Sequence, residues 1–325
     1  MKLTNIRLEV MAQLEKSMTD FMATYLKPIE ENWQPSDLLP DASSETFYEE
    51  VEEIQALAKE LDYDVFAVLI GDTITEEALP SYESWLTSVE GIDQESNNGW
   101  SQWIRAWTAE ENRHGDLLNK YLYLSGRVNM REFETSTQHL IADGFDIGTG
   151  YDPYRNFVYT SFQELATNVS HRRVAGLVKK AGNAHLAKIN GTIAADEARH
   201  AKAYQHFVKK IFEIDPSEMM LAFEDMMRKK IVMPAHFMRE TGGQIGEVFK
   251  HFSDAAQRQM VYTSQDYIDI FRHLNKEWAI DKMSDLTDQA EKARDFLMGL
   301  PDRLEKISER IVIPEKQYKY KWLAI

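Results

Sequence analysis

The chain has 325 residues, 43% hydrophobic and 28% charged, so it can bury a large core. It has no cysteine, which excludes disulfides, thiolate zinc sites and cysteine-bound iron–sulfur clusters; a redox centre would need oxygen and nitrogen ligands. A net charge of −16 argues against a general nucleic-acid binder, and no apolar run approaches the roughly 20 residues that span a bilayer.

The stretch Met1 to Glu9 holds no signal-peptide core, so a cytosolic protein is expected. From about Asn5 to Leu26, apolar residues such as Ile6, Val10, Leu14, Met18 and Phe21 recur at three- and four-residue steps, which predicts a helix. Asn32 to Pro40 reads as a loop. Ser43-Ser44-Glu45 is placed to cap a helix running through Ile54, Leu57 and Leu61. Asp62-Tyr63-Asp64 interrupts it. Leu69 to about Val89 then reads as one long helical stretch bent at Pro80, which has no N–H to give the carbonyl of Glu76.

Gly91 to Asn98 is a polar loop, and a helix from about Trp100 to Ser125 ends at Gly126. Met130 to Leu140 is a shorter helix, followed by a Gly-rich loop from Asp143 to Gly150. Pro153 opens a helix bearing Glu164. Asn183 opens the next, which runs to about Phe212, and Pro216-Ser217 start another. Further helices are expected over 249–257, 264–276 and 290–307, with an irregular tail from Val312. Strand-like alternation is missing and no Gly/Ser/Pro linker divides the chain. The expectation is an all-α protein with one domain over residues 1–325.

Two of these helices carry a Glu-x-x-His pair: Glu111 with His114, and Glu197 with His200. Residues three apart share a helix face, so each pair can grip one metal ion. Both pairs sit in apolar stripes, Ile104-Trp107-Leu118-Tyr121 and Leu186-Ile193-Tyr204-Phe207. An unpartnered carboxylate there is costly, and a metal removes the cost. Glu76 and Glu164 each lie one helix upstream of a pair, with Glu77 a competitor for Glu76. Glu, then Glu-x-x-His, twice over, is the ligand set of ferritin-like di-iron carboxylate bundles. Carboxylates and imidazoles suit iron or manganese.

Longer stretches make the resemblance specific. They are Gly71–Pro80 (GDTITEEALP), Trp103–Val128, Tyr159–Thr167 (YTSFQELAT), Gly191–His200 (GTIAADEARH), Phe223–His236 and Asn32–Pro40. In these the chain resembles the soluble acyl-acyl-carrier-protein desaturases over nearly its whole length. Ala198 departs from the lysine common in that family, at a position that ligates nothing. The resemblance implies a ferritin-like four-helix core with flanking helices. It implies two iron ions held by Glu76, Glu111, His114, Glu164, Glu197 and His200, with Glu111 and Glu197 bridging. Asp196 would orient His114, and Trp33 would complete an electron route Trp33–Asp196–His114; Thr167 would face the oxygen site.

The implied reaction takes O2 and electrons from ferredoxin and places a cis double bond, Δ9 by expectation, in a saturated C16–C18 chain on acyl carrier protein. A di-iron oxidase, a hydroxylase or an iron-binding protein on the same scaffold is the alternative. By the same resemblance the tunnel floor would hold Trp85, Ser88, Val89, Ile147, Thr149 and Asn156; the bulk of Trp85 suggests a palmitoyl-length tunnel. The acidic carrier needs basic patches on an acidic enzyme: Arg228-Lys229-Lys230, Lys27, and Arg303 with Lys306 are the candidates. A homodimer is expected, in a bacterial cytoplasm or, for a processed plant-type form, the plastid stroma.

Overall fold

The missing period-2 alternation becomes a helical fold. A computed structural model describes residues 4–95 and 99–323. Ser96 to Asn98, the end of the expected polar loop, lie outside the described residues, as do Met1 to Leu3, Ala324 and Ile325. In chain order the helices are α1 (Asn5–Glu15), α2 (Met18–Tyr25), α3 (Phe47–Lys59), α4 (Tyr63–Glu77), α5 (Leu79–Thr87), α6 (Gly99–Ser125) and α7 (Met130–Asp143). There follow α8 (Pro153–Lys180), α9 (Ala184–Ile214), α10 (Pro216–Lys229), α11 (Phe249–Arg258), α12 (Ser264–Glu277) and α13 (Asp288–Ser308). Among the described residues the only β pairing is an isolated antiparallel bridge, Val128 to Leu323. Among the described residues no helix is long and apolar enough to cross a membrane.

Four helices form the centre. α8 and α9 make a long hairpin. Gly182 turns it at φ +87°, and the Asn183 side chain accepts from the Leu186 amide to cap α9. α6 packs against both α4 and α9. α4 is buried without a break from Asp64 to Gly71, which is the pattern of a helix enclosed by others rather than lying on a surface. Its one early charge, Asp64, is bound by the Arg258 guanidinium of α11 at 2.7 Å. α11 lies so close that a Cβ on Gly71 would stand 2.3 Å from the Phe252 ring. α10 and α12 pack on α8, and α13 packs in turn on α10 and α12.

The structure revises some boundaries. The first predicted helix is two, parted at Ser17, whose backbone (φ −98°, ψ 2°) leaves the helical region. α4 begins at Tyr63, because the Asp62 side chain caps it by accepting from the Asp64 amide. The bend expected at Pro80 is a full break at Ala78. Proline then falls in the first turn of α5, where its missing N–H costs nothing. α3 starts at Phe47, later than the Ser43–Glu45 cap, with Thr46 donating to Glu50. The irregular tail returns to the core: Trp322 is fully buried and donates to Ser136 Oγ at 2.9 Å.

Candidate metal centre

Each central helix contributes one or two side chains to a common point. α4 ends there, so Glu76 in its last turn reaches inward. Glu77 turns aside and accepts from Asn119. α6 comes close because residue 115 is glycine: a Cβ there would lie 3.0 Å from Glu77 Cγ and 3.2 Å from the Glu76 carbonyl carbon. His114, one residue earlier, thereby faces Glu76.

The donor atoms fall into two sets. His114 Nδ1 lies 3.1 Å from both Glu111 Oε2 and Glu197 Oε1, and 3.7 Å from Glu76 Oε2. His200 Nδ1 lies 2.5 Å from Glu111 Oε1 and 3.7 Å from Glu164 Oε2. The first set is thus Glu76, Glu111, His114 and Glu197; the second is Glu111, Glu164 and His200. Glu111 gives one oxygen to each. Glu197 gives one to the first set, and its other oxygen accepts from the Thr167 hydroxyl.

These atoms fit a metal. Glu111 Oε1, both oxygens of Glu164, and Nδ1 of His114 and of His200 are buried with no hydrogen-bond partner. Such groups are costly unless something else binds them. Ligands about 2.1 Å from one ion stand roughly 3 Å from each other, close to the spacing seen. The electrostatics agree. Burial drives Glu164 well above the usual carboxylate range, helped by Glu111 and Glu197. Burial opposes charge on His200, yet Glu111 and Glu110 hold it up at about 9. Glu111 is held down by His114 and His200 against its own burial.

Behind each histidine stands a second acid. Asp196 Oδ2 lies 3.6 Å from His114 Nε2 and accepts from Trp33 Nε1 and Arg113 Nη2, each at 2.9 Å. Trp33 is half-buried and stacks on His114, with centroids 6.0 Å apart. Glu110, which the sequence reading passed over, lies 2.8 Å from His200 Nε2 through its Oε2. Its signal was present in the repeat itself: both motifs read acid-Glu-x-Arg-His, EENRH and DEARH. His171 was also missed; its Nε2 lies 3.1 Å from Glu76 Oε1 and its Nδ1 3.1 Å from Asn190 Oδ1.

The centre forms the inner wall of a cavity of about 420 Å³. Glu76, Glu111, Glu164 and Glu197 line it, with Tyr82 and Trp107 beside them. Of its lining residues, Lys230, Ile307 and Ile311 are exposed, so the cavity meets solvent on their side. None of the six expected floor residues lines it. Trp85 instead packs edge-on against Tyr159 and donates to Thr149 Oγ1 at 3.1 Å; Val89, Ile147, Thr149 and Asn156 are buried in packing, and Ser88 is exposed. The Asn156 amide is spent on the Asp152 carbonyl at 2.6 Å.

Of the expected basic patches, only Lys230 lines the cavity. Lys229 pairs with Asp225, and Arg228 bonds Glu224 while lying over the Phe296 ring with Arg303. Lys27 lies near the opposite acids: its amide donates to Glu110 and its Nζ is 4.0 Å from Asp196.

Helices supplying paired carboxylates and histidines to one buried point define a ferritin-like fold with a candidate metal centre. Sequence comparison narrows this: the family model described as fatty acid desaturase matches residues 6–324, and the chain belongs to that family, an oxidoreductase family. It is 52% identical over 307 residues to stearoyl-[acyl-carrier-protein] 9-desaturase 1, chloroplastic, of Arabidopsis thaliana, covering 94% of this chain and 77% of that one. It is 48% identical, with the same coverage, to palmitoyl-[acyl-carrier-protein] 4-desaturase 3, chloroplastic, of Ophrys sphegodes. The crystal structure of DesA2 from Mycobacterium tuberculosis H37Rv shares the fold at a TM-score of 0.54 and 18% identity, covering 90% of this chain and 99% of that one.

Proposed function

We propose that Glu76, Glu111, His114, Glu164, Glu197 and His200 hold two iron ions in an acyl-[acyl-carrier-protein] desaturase. It would draw electrons from ferredoxin and form a cis Δ9 bond in a C16–C18 chain. One observation carries this: unpartnered metal-ligating atoms converge on the wall of a cavity that is otherwise mostly apolar and open at one end. The names of relatives near 50% identity support acyl carrier protein as the carrier of the chain.

An unactivated C–H bond is beyond the reach of acid–base side chains, and bound iron would supply the oxidant from O2. The protein does the rest. Glu111 spaces the two metal sets. Glu110 and Asp196 fix the imidazole rings so that Nδ1 faces inward. Tyr82 and Trp107 wall the inner cavity and keep it dry, and Thr167 places a hydroxyl proton at Glu197. The Trp33–Asp196–His114 stack supports electron entry from the side where Lys27 lies. Lys230 and the exposed Ile307 and Ile311 at the mouth support carrier docking there, with Lys306 and Arg303 nearby on α13. We further take the chain to act as one domain and as a homodimer.

The test joins metal and product. The purified protein should hold about two irons per chain. With reduced ferredoxin, O2 and palmitoyl- or stearoyl-carrier protein it should yield a mono-unsaturated acyl group, its position mapped by mass spectrometry. O2 consumption without unsaturation would point to an oxidase or hydroxylase instead, and a chain that binds no iron would refute the metal assignment.

A further inference from the structure

A polar strip runs along one wall of the mostly apolar cavity. Asp72 lies on α4 one turn before Glu76, about 6 Å along the helix axis. It lines the cavity, and its Oδ2 accepts from Ser170 Oγ at 2.7 Å. Ser170 lies on α8 three residues beyond Thr167, so the two side chains share one face. Both line the cavity, and the Thr167 hydroxyl donates to Glu197. Asp72, Ser170 and Thr167 therefore form a series of proton-carrying groups ending at the metal centre. Proton passage between the two hydroxyls would run through bridging water.

A hydrocarbon tunnel gains nothing from a carboxyl in its wall, and burying one is costly. Burial raises Asp72 to about 6, which lets it gain and lose a proton near neutrality. The reaction needs such a group. Its balance is R–CH2–CH2–R′ + O2 + 2e− + 2H+ → R–CH=CH–R′ + 2H2O. The electrons come from a one-electron protein donor. Two hydrogens leave the chain, and two protons must come from solvent. A tunnel filled by an acyl chain excludes bulk water, so those protons need fixed carriers.

We propose that Asp72 is the proton donor of the centre, passing protons through the Ser170 hydroxyl towards Thr167 and Glu197. After each transfer Asp72 is a carboxylate and is reprotonated from the mouth side. The proposal rests on the desaturase reading.

Asp72→Asn keeps the side chain's size and its acceptor for Ser170 but carries no acidic proton. Loaded with iron and assayed with acyl-carrier protein and reduced ferredoxin, it should keep its iron content and KM. Its kcat should fall at least tenfold and show a larger solvent deuterium isotope effect; Ser170→Ala should fall between. An unchanged kcat and isotope effect would overturn the proposal, as would loss of iron, which would make Asp72 a structural residue. A second readout needs no turnover or variant. Dicyclohexylcarbodiimide, an apolar reagent for protonated carboxyls, should label Asp72 in the resting iron-loaded protein, located by peptide mass spectrometry. Absence of label there overturns the proposal. Label without any double bond formed by the unmodified enzyme would refute the desaturase reading while supporting Asp72 as a proton-exchanging group.

Discussion

Glu110 on α6 holds His200 on α9 at 2.8 Å, and Asp196 on α9 faces His114 on α6 at 3.6 Å. The acid preceding each ligand glutamate thus serves the histidine of the other motif. Arg199 joins the two acids, 2.7 Å from each, and Arg113 donates to Asp196. The cross-bracing explains why burial fails to neutralise these acids. Glu110 is brought down to about 2 by His200 and Arg199, and Asp196 falls below the usual range through His114 and Arg199.

Glu110→Gln should weaken the second metal set. A glutamine amide can donate to Nε2, which would put the ring proton on Nδ1 and block the ligand atom. Loss of such an orienting partner costs roughly 10–100-fold in metal affinity. Iron titration against a chelator should give about one tight site and one weak one. Asp196→Asn should show the mirror result at His114. Two sites of unchanged affinity in Glu110→Gln would mean that His200 is oriented by something else.

Gly115→Ala should disturb the first set. The new methyl would crowd Glu77 and the Glu76 backbone at 3.0–3.2 Å, where α6 and α4 cannot both stay. Overpacking of this kind costs about 1–3 kcal/mol. Iron content should fall and the melting temperature should drop, even though glycine ligates nothing. Gly176→Ala, on α8 with open space around it, is the control: it should leave iron content unchanged and the melting temperature no lower.

Asp72 should make the metal-free protein less stable as pH rises. Burial raises its carboxyl from 3.8 to about 6, against the opposing pull of His171 and Ser170; Glu76, on the same helix, pushes it up. A carboxyl with a higher pKa folded than unfolded stabilises the fold most when protonated. Its contribution is whole below about pH 4 and is lost as pH passes about 6. Asp72→Asn is neutral throughout. Denaturant titration should find it more stable than wild type at about pH 8, by roughly 2 kcal/mol after allowing for the cavity side, and equal near pH 4.

The convergence of these side chains was legible because a helix converts spacing into direction, and a Glu-x-x-His pair in an apolar stripe faces the core. Helix existence was legible for the same reason. Glu110 was not singled out, because an acid beside a ligand on a helix reads as solvent-facing until the partner helix is placed. The expected floor residues lie outside the cavity lining for a different reason. Carrying Trp85 and Thr149 across by motif gives position but not rotamer, and their mutual hydrogen bond turns both into packing. Lys27 likewise has a suitable charge but lies by the acids behind the histidines.

Trp85→Ala should lengthen the cavity. Tyr82 lines the inner cavity, and Trp85 follows it on α5, held by Tyr159 and Thr149. Removing the indole leaves a void beside Tyr159 and frees the Thr149 hydroxyl. The void should cost about 3–5 kcal/mol if it stays empty. An acyl chain entering it would recover part of that cost by burying methylenes, each worth about 0.8 kcal/mol. The wild-type enzyme should therefore prefer the palmitoyl over the stearoyl carrier protein, and the variant should reverse that order by several-fold in kcat/KM. The ratio of the two rates, measured on one preparation, separates this from a general loss of stability, which would lower both rates alike. If the wild type already turns over the stearoyl form faster, Trp85 does not set the chain length.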